Sequence, residues 1–442
     1  MNNSTKTNSN KSSLAIFLIL VFPLSFFYTF LTGAPFLGVL TGNFFVMLSL
    51  YSLVQVCDSN YSKYILLIFV IKYALVVYQA INKDLPMGGV DWIHYHNNAK
   101  AMIENSGNIL EALSYDNYDL FSKFVAILYN SFGAHTMYIY LFVFASSNVA
   151  TKYVFKTALL LTDNDYEASS KAMMFFNLWP ISIIYAVTFL REMPIQALVI
   201  VSFYNYVVYI KERKIVNLIL SFLFIVFASM MHSGVIAIIA IYFMFLFRNK
   251  NNYELRIISP ATIFLLLVAI VLLRVSPLWN MVSAKLGDVS SAEGLVKRSQ
   301  QFVEGDASTR YVTEMPSNIA AFVLQVPWRA ALFAIVPLPW MINSFETAFA
   351  WVVDAIPQIW LIWRLIKLNN LTKGTKNRIS VLLSVAICCA ISVIIELCQF
   401  VFMLGRCELD DVIANTLGAF LGCVSYIISG AIEKFQKQRK IK

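Results

Sequence analysis

The sequence predicts an all-α polytopic membrane protein with about twelve transmembrane helices, a broken re-entrant hairpin and amphipathic helices on its outer surface. Of the 442 residues, 59% are hydrophobic and only 13% are charged, whereas soluble domains carry roughly 25% charged residues. Apolar runs close to the ~20 residues that cross a bilayer as helix recur along the chain. The basic residues behind the net charge of +9 cluster in short connectors. This pattern is typical of cytoplasmic loops and not of a nucleic-acid interface.

The first nine predicted crossings place the two long hydrophilic connections outside. Their apolar runs are 14–32, 36–56, 63–81, 137–156, 171–189, 194–210, 215–231, 233–247 and 257–273. With residues 1–13 as a polar cytoplasmic tail, the basic connectors face inward, and residues 82–136 and 274–318 become outer loops. Apolar residues at helical spacing between positions 99 and 128 predict two short amphipathic helices along the membrane surface.

The apolar run at residues 319–340 is predicted to dip into the membrane and return. Pro327, Pro337 and Pro339 interrupt its helix, and Arg329 lies midway. Broken helices at membrane depth are tolerated where they line a protein cavity. A full crossing here would also carry the basic linker 367–378 to the outside, against the charge rule.

Three further crossings then bring the chain back to the cytoplasm, at residues 345–366, 379–400 and 412–430. The predicted division is a multi-span domain over 14–366, the basic linker, a helical hairpin over 379–430 and a basic tail over 431–442. Both termini are predicted to be cytoplasmic, and the natural location is the bacterial plasma membrane.

The stretch "GGVDWIHYHNNAKAM" (88–102) brings Asp91, His94 and His96 into the first outer loop. Asp91 is either a plain loop residue or a group that does chemistry. The two imidazoles are two residues apart, so they could share a metal only on an extended segment. The six cysteines form no Cys-x-x-Cys pair, so no metal site or other cofactor is expected. A divalent metal at Asp91 stays an open alternative.

Other polar side chains are predicted to reach the same outer face and form a basic cleft. They are Arg191 and Glu192 in "FLREMP", His232 in "MHSG", Arg298, Arg310 and Tyr311 in the second outer loop, and Arg329 in the broken hairpin. Arg191 with Glu192 is equally read as a local ion pair, and His232 as a helix cap. Lys72, within an apolar span, is predicted to be a buried cation that needs a partner or a water path, and the structural interpretation pairs it with an acid from another span.

The C-terminal segment "IELCQFVFMLGRCELDDVIANTLGAFLG" (395–422) resembles the signature of VanZ-like membrane proteins, first named in glycopeptide resistance. The matching residues are Glu396, Gln399, Arg406, Asp410, Asp411, Asn415, Gly418 and Gly422. Glu396 and Gln399 share a helix face, so with Arg406 they could also be a structural clasp that closes the hairpin. The resemblance implies a family and no defined chemistry.

Residues 14–366 resemble envelope polysaccharide polymerases and related multi-span glycosyltransferases of the GT-C type. The matching pieces are Asp91, Tyr95 and His96, "LRE" at 190–192, "MHSG" at 231–234, and the arginine- and proline-rich run from 310 to 340. This resemblance implies transfer or polymerisation of polyprenyl-diphosphate-linked glycans at the outer face, for cell-envelope polysaccharide assembly. It implies an inverting-type glycosyltransferase whose partners are a lipid-linked glycan donor, a glycan acceptor and membrane lipids.

In that chemistry, Arg191, Arg298, Arg310, Tyr311 and Arg329 would bind the substrate and stabilise the departing diphosphate. Asp91, His96 or His232 would take the proton of the acceptor hydroxyl. Two alternatives stay open. One is a transporter of lipid-linked substrates, for which the two halves expected of such folds were not found. The other is a non-enzymatic VanZ-family envelope or glycopeptide-resistance factor.

Overall fold

The computed structural model describes residues 22–57, 59–85, 91–106, 108–115, 119–161, 164–232, 338–357 and 359–360, with single residues 235, 238, 239, 242 and 324. In this part of the chain every regular element is a helix or helical turn. The chain divides into two compact units, Met1–Tyr204 and Asn205–Lys442. The predicted crossings at 257–273, 379–400 and 412–430, and nearly all of the 319–340 hairpin, lie outside the described residues.

The first unit contains nine helices in the described residues and most of a tenth. They are α1 (Phe22–Thr32), α2 (Phe36–Val54), α3 (Ser59–Asn82), α4 (Asp91–Glu104), α5 (Ile109–Ser114), α6 (Leu120–Phe132), α7 (Met137–Leu161), α8 (Tyr166–Leu178), α9 (Pro180–Val187) and α10 (Glu192–Glu212). The second unit holds the end of α10, α11 (Ile215–Met231), a 3-10 turn at Pro339–Met341, α12 (Phe345–Ala350) and a π turn at Trp351–Ala355.

Within the described residues, three helices are long and apolar enough to cross a membrane: Phe36–Val54, Tyr61–Asn82 and Glu192–Glu212. The surfaces of α1 to α3 that face away from the bundle are apolar, with Phe30 82% and Val70 61% exposed. Contiguous apolar surface of this kind is stable in lipid and not in water. The chain is therefore a helical membrane protein, and the count of twelve crossings stays a prediction.

Helices α2 and α7 pack closely through two glycines spaced four residues apart. A Cβ atom on Gly38 would lie 2.6 Å from Cδ1 of Tyr138, and one on Gly42 would lie 2.8 Å from Cδ1 of Leu141. Both distances are too short for non-bonded carbon atoms, so only glycine fits. Small residues are the usual means by which helices in lipid approach each other.

Several polar groups in the interior of this unit bond to uncharged partners. Lys72, which is 2% exposed, donates from its ammonium to the amide oxygen of Asn177 on α8. The prediction that Lys72 pairs with an acid is therefore wrong: within the described residues its partner is a neutral amide, which accepts one of the three ammonium N–H groups without burying a second charge. In the same interior, the Tyr73 hydroxyl donates to Asn43, and the Asn43 amide donates to Ser25 Oγ at 3.0 Å.

The predicted crossing at 171–189 is two helices. Trp179 adopts an extended conformation (φ −63°, ψ 123°) before Pro180, because the residue before a proline is disfavoured in the helical region. Helix α9 begins at Pro180, and its axis departs from that of α8 by 62°. The chain then runs non-helically from Thr188 to Arg191 before α10 begins.

The predicted outer loop 82–136 folds into three helices, which we call the connector helices (α4–α6), where the sequence predicts two. The break lies between Glu104 and Ile109, where the Asn108 side chain accepts from the Glu111 N–H at 2.9 Å and caps α5. Asp119 caps α6 by accepting from the Ser122 N–H at 2.9 Å. Asparagine and aspartate favour such caps because their short side chains reach the unpaired N–H groups of the first turn.

In the second unit, Tyr206 near the end of α10 stacks on Tyr242. The ring centroids are 4.2 Å apart at 6°, and the Tyr206 hydroxyl donates to the Tyr242 carbonyl at 2.8 Å. Further along, Ser344 and Thr347 form a capping box at the start of α12.

Candidate functional site

Three connections of the first unit meet at one end of the bundle. The imidazole of His135, between α6 and α7, donates from Nε2 to the Thr32 carbonyl at the end of α1 at 3.1 Å. The ammonium of Lys83, directly after α3, lies 4.3 Å from the ring centroid of Trp92 on α4. Tyr95 on α4 contacts Phe189 in the segment between α9 and α10, with ring centroids 6.4 Å apart. The three connections are the one between α1 and α2, the one from α3 to α7 that contains α4, and the one between α9 and α10. The sequence predicts that all three lie outside.

Asp91 is the first residue of α4 and is exposed to solvent. A carboxylate in the first turn is stabilised by the partial positive charge of the helix N-terminus. Asp91 is therefore well placed as a structural residue, and it is also an accessible carboxylate one turn before Tyr95. The helix begins earlier than the sequence predicts, so that Asp91, His94 and His96 all lie on it.

The two histidines of α4 point to different partners. His94 Nε2 lies 2.9 Å from Nδ2 of Asn98, one turn further along the exposed face. His96 Nδ1 lies 2.6 Å from the hydroxyl of Tyr129 on α6. Because the segment is helical, the extended geometry that a shared metal requires is not present. Within the described residues, no three His, Cys, Asp or Glu side chains are grouped to hold a metal ion.

Tyr95 anchors a cluster that we call the Tyr95 cluster: Tyr95, Phe121, Phe189, Arg191 and Glu192. Tyr95 is 3% exposed and meets the edge of the Phe121 ring at 5.0 Å. The guanidinium carbon of Arg191 lies 5.8 Å from the Tyr95 ring centroid, within the range of a cation–π contact. Burial, and next the charge of Glu192, raise the pKa of the Tyr95 phenol, which therefore stays protonated.

Arg191 and Glu192 also contact each other. Arg191 Nε lies 3.7 Å from Glu192 Oε1, and the two side chains are 25% and 11% exposed. The ion pair of the plain structural interpretation is therefore present. The cation–π contact adds a second restraint, which fixes the guanidinium beside α4 and leaves part of its surface accessible.

A second group, the His96 cluster, consists of Lys83, Trp92, His96, Tyr129 and His135. Lys83 ends α3 in a left-handed conformation (φ 59°), with its N–H bonded to the Gln79 carbonyl at 2.9 Å. The ring nitrogens of His135 both have partners, because Nδ1 accepts from the Met137 N–H at 3.2 Å and Nε2 donates to Thr32. His135 therefore joins two connections of the chain as a neutral imidazole.

Sequence reasoning did not identify Lys83, Trp92, Tyr129 and His135 as part of a site. His135 is one of only four histidines in the chain. The rarity of this residue type was the feature of the sequence that could have pointed to it. Tyr129 occurs among many aromatic residues of an apolar helix, and nothing in its local sequence separates it from them.

The remaining predicted site residues belong to the second unit or lie outside the described residues. His232 follows the last residue of α11, where its N–H donates to the Ala228 carbonyl at 2.9 Å and its carbonyl accepts from the Val235 N–H at 3.1 Å. It belongs to the second unit. Several others lie outside the described residues, namely Arg298, Arg310, Tyr311, Arg329, Glu396, Gln399, Arg406, Asp410, Asp411 and Asn415.

Fold and composition define the class of the chain as a multi-span helical membrane protein. Residues 235–430 match the family model described as VanZ/LLP1, so this segment is similar to that family. The match includes the signature residues from Glu396 to Asn415, and it begins well before the hairpin predicted at 379–430. The chain matches no curated protein and no solved structure. The polymerase-like resemblance of residues 14–366, whose last part overlaps the matched segment, rests on the sequence alone.

Proposed function

We propose that this protein transfers or polymerises glycans carried on a polyprenyl diphosphate at the outer face of a bacterial plasma membrane. The observation that carries the proposal is the contact between two segments that the polymerase resemblance assigns to one site. Arg191 of "LRE" lies over the ring of Tyr95. Tyr95 follows Asp91 by four residues on α4. A restrained arginine and an accessible carboxylate thus occupy the same end of the helical bundle.

The proposed reaction needs both groups. The acceptor hydroxyl oxygen attacks the anomeric carbon of the donor sugar, the bond from that carbon to the diphosphate oxygen breaks, and polyprenyl diphosphate leaves. The guanidinium of Arg191 offers a planar, permanently charged fork to the departing diphosphate. Since Tyr95 and Glu192 already restrain it, little reorganisation is required as the negative charge develops.

The proton of the acceptor hydroxyl goes to a base, for which the sequence offers Asp91, His96 and His232. We assign this role to Asp91, because a carboxylate near the anomeric carbon also favours the positive charge that develops on the sugar ring. Arg298, Arg310, Tyr311 and Arg329 would complete the basic cleft around the donor. The glycan donor, the acceptor and membrane lipids are the proposed partners.

The test is the length of envelope glycan made by cells that carry Arg191→Gln or Asp91→Asn. Loss of one group that stabilises transition-state charge costs roughly 10²–10³ in rate, so long polymer should disappear while the protein stays in the membrane. The matched control is Lys171→Gln, an exposed lysine bonded to Glu167 at 2.7 Å, which should leave the polymer unchanged. Full-length polymer from both site variants would overturn the proposal.

A second candidate is a non-enzymatic VanZ-family envelope factor that binds a glycopeptide, a cell-wall precursor or a protein partner. The match over residues 235–430 favours it. Substitutions Glu396→Gln and Arg406→Gln in the signature separate the two proposals. The envelope-factor role predicts that these variants lose glycopeptide resistance with normal polymer length. The transfer role predicts that polymer length depends on Arg191 and Asp91 instead.

A further inference from the structure

The imidazole of His96 is held between two connector helices by one of its two nitrogens. Nδ1 lies 2.6 Å from the Tyr129 hydroxyl, and the two rings meet at 73° with centroids 5.4 Å apart. Within the described residues, Nε2 on the opposite edge of the ring has no hydrogen-bond partner, and the side chain is partly exposed. The ring is therefore fixed in orientation with one polar edge available.

The direction of the Tyr129 bond follows from the chemistry of the two groups. Tyr129 is 2% exposed, and burial, assisted by Tyr138 and Tyr140, raises the pKa of its phenol, which keeps its proton. Its hydroxyl bonds to no other group in the described part of the chain, and a buried hydroxyl without an acceptor is costly. A phenol is also a better donor than an imidazole N–H. Tyr129 therefore donates to Nδ1, and the ring proton lies on Nε2.

The surroundings of His96 disfavour a second ring proton. Burial is the largest cause that lowers the pKa of His96, followed by the charges of Lys100 on the same helix and Lys83 after α3, and by repulsion from His135 between α6 and α7 when that ring is protonated. Within the described residues, the titratable groups facing the ring from each packed element are these three and Tyr129. At neutral pH the imidazole is consequently uncharged, and Nε2–H is a donor in an electropositive environment.

We propose that His96 is a neutral hydrogen-bond donor to an anionic phosphate oxygen of the lipid-linked donor, and that Tyr129 is the residue that positions it. This inference rests on the proposed function, and it revises the predicted role of His96. An imidazole whose Nδ1 accepts from Tyr129 and whose Nε2 carries the proton has no lone pair to offer an acceptor hydroxyl. The base must then be another group, and Asp91 takes that role.

Nitrogen NMR of the full-length protein in lipid nanodiscs, with ¹⁵N-labelled histidine, tests the tautomer directly. His96 should show a protonated Nε2 and an unprotonated Nδ1, and it should titrate below the ordinary histidine pKa of about 6.5. Inorganic pyrophosphate, as the probe, should shift the Nε2 resonance. A proton on Nδ1, or an Nε2 resonance that pyrophosphate leaves unmoved, would overturn the inference.

Tyr129→Phe removes the hydroxyl and keeps the ring. His96 should then populate both tautomers, and its pKa should rise, because the donor that favoured the neutral ring is gone. Tyr115→Phe is the matched control, since the Tyr115 hydroxyl donates to the Asn105 carbonyl at 3.0 Å within the same connector helices. The inference fails if Tyr129→Phe leaves the tautomer and the pKa of His96 as they are in the unmodified protein.

Activity separates this inference from the proposed function. His96→Gln keeps an N–H donor and should retain part of the glycan polymer, whereas His96→Leu should lose it. Equal loss in both variants, as expected of a base, would contradict the donor role. If instead polymer length proves independent of Arg191 and Asp91, the proposed function fails, and the NMR result still decides how His96 is protonated.

Discussion

Inside the bundle, the ammonium of Lys72 is enclosed and bonded to one amide, whereas among the connector helices the imidazole of His96 keeps a polar edge accessible. The interior pairs each of its polar groups named above with a neutral partner, as in the Tyr73–Asn43–Ser25 chain. At the connector helices, charged side chains from neighbouring connections instead lie on aromatic rings of α4, as Arg191 does on Tyr95 and Lys83 on Trp92. A polar group in the first setting stabilises the fold, and one in the second can also meet a ligand.

The largest expected effect comes from leaving the interior cation without its partner. Asn177→Leu removes the acceptor of Lys72 and should lower the free energy of unfolding by roughly 3 kcal/mol, measured by thermal unfolding in detergent. The double variant Lys72→Met with Asn177→Leu should recover much of the loss, because an apolar pair of similar volume replaces the polar one. A double variant no more stable than Asn177→Leu alone would show that Lys72 has another role.

A smaller loss is expected from the glycine contacts between α2 and α7. Gly38→Ala places a methyl group against Tyr138 and should cost about 1–3 kcal/mol through overpacking. Phe44→Leu, on the same helix at a position 45% exposed, is the control and should change the melting temperature little. Equal shifts in the two variants would contradict the packing described for this pair.

The smallest effects on stability are expected at two helix caps. One cap lies in the connector helices and the other in the bundle, so the pair compares the two regions directly. Asp119 caps α6 of the connector helices, and Asp165 caps α8 of the bundle by accepting from the Ala168 N–H at 3.0 Å. Replacing either by Ala should cost about 1 kcal/mol of stability. Only Asp119→Ala should also disturb the His96 resonances, because α6 carries Tyr129. A response of His96 to Asp165→Ala would show that the two regions are coupled.

The long apolar helices could be predicted from the sequence because lipid imposes a simple rule of length and hydrophobicity. Helix α2 covers Phe36–Val54 where the sequence predicts 36–56, and α11 covers Ile215–Met231 at the predicted 215–231. The break at Pro180 was missed, because the apolar run continues through it and hydropathy does not register backbone conformation. The predicted partner of Lys72 was also wrong. Asn177 is 105 residues away in the sequence, and its uncharged side chain does not mark it as the partner of a cation.

The candidate site was predictable in part. The segments of Asp91 and Arg191 were both assigned to one face by counting the predicted crossings from a cytoplasmic N-terminus, and the two segments meet through Tyr95. The orientation of His96 could not be predicted, because it depends on a tyrosine 33 positions away. Contacts of this kind arise from the packing of α4 on α6, which local sequence patterns do not encode.

The bend at Pro180 has a consequence for the lipid next to it. At a rise of about 1.5 Å per residue, the thirteen residues of α8 and the eight of α9, joined at 62°, together span about 27 Å. A hydrocarbon layer is ~30 Å thick, so either the bilayer thins beside this pair or the non-helical stretch 188–191 completes the passage. Under the proposed function, the diphosphate of a lipid-linked donor would then meet Arg191, the last residue of that stretch, at the edge of the hydrocarbon layer.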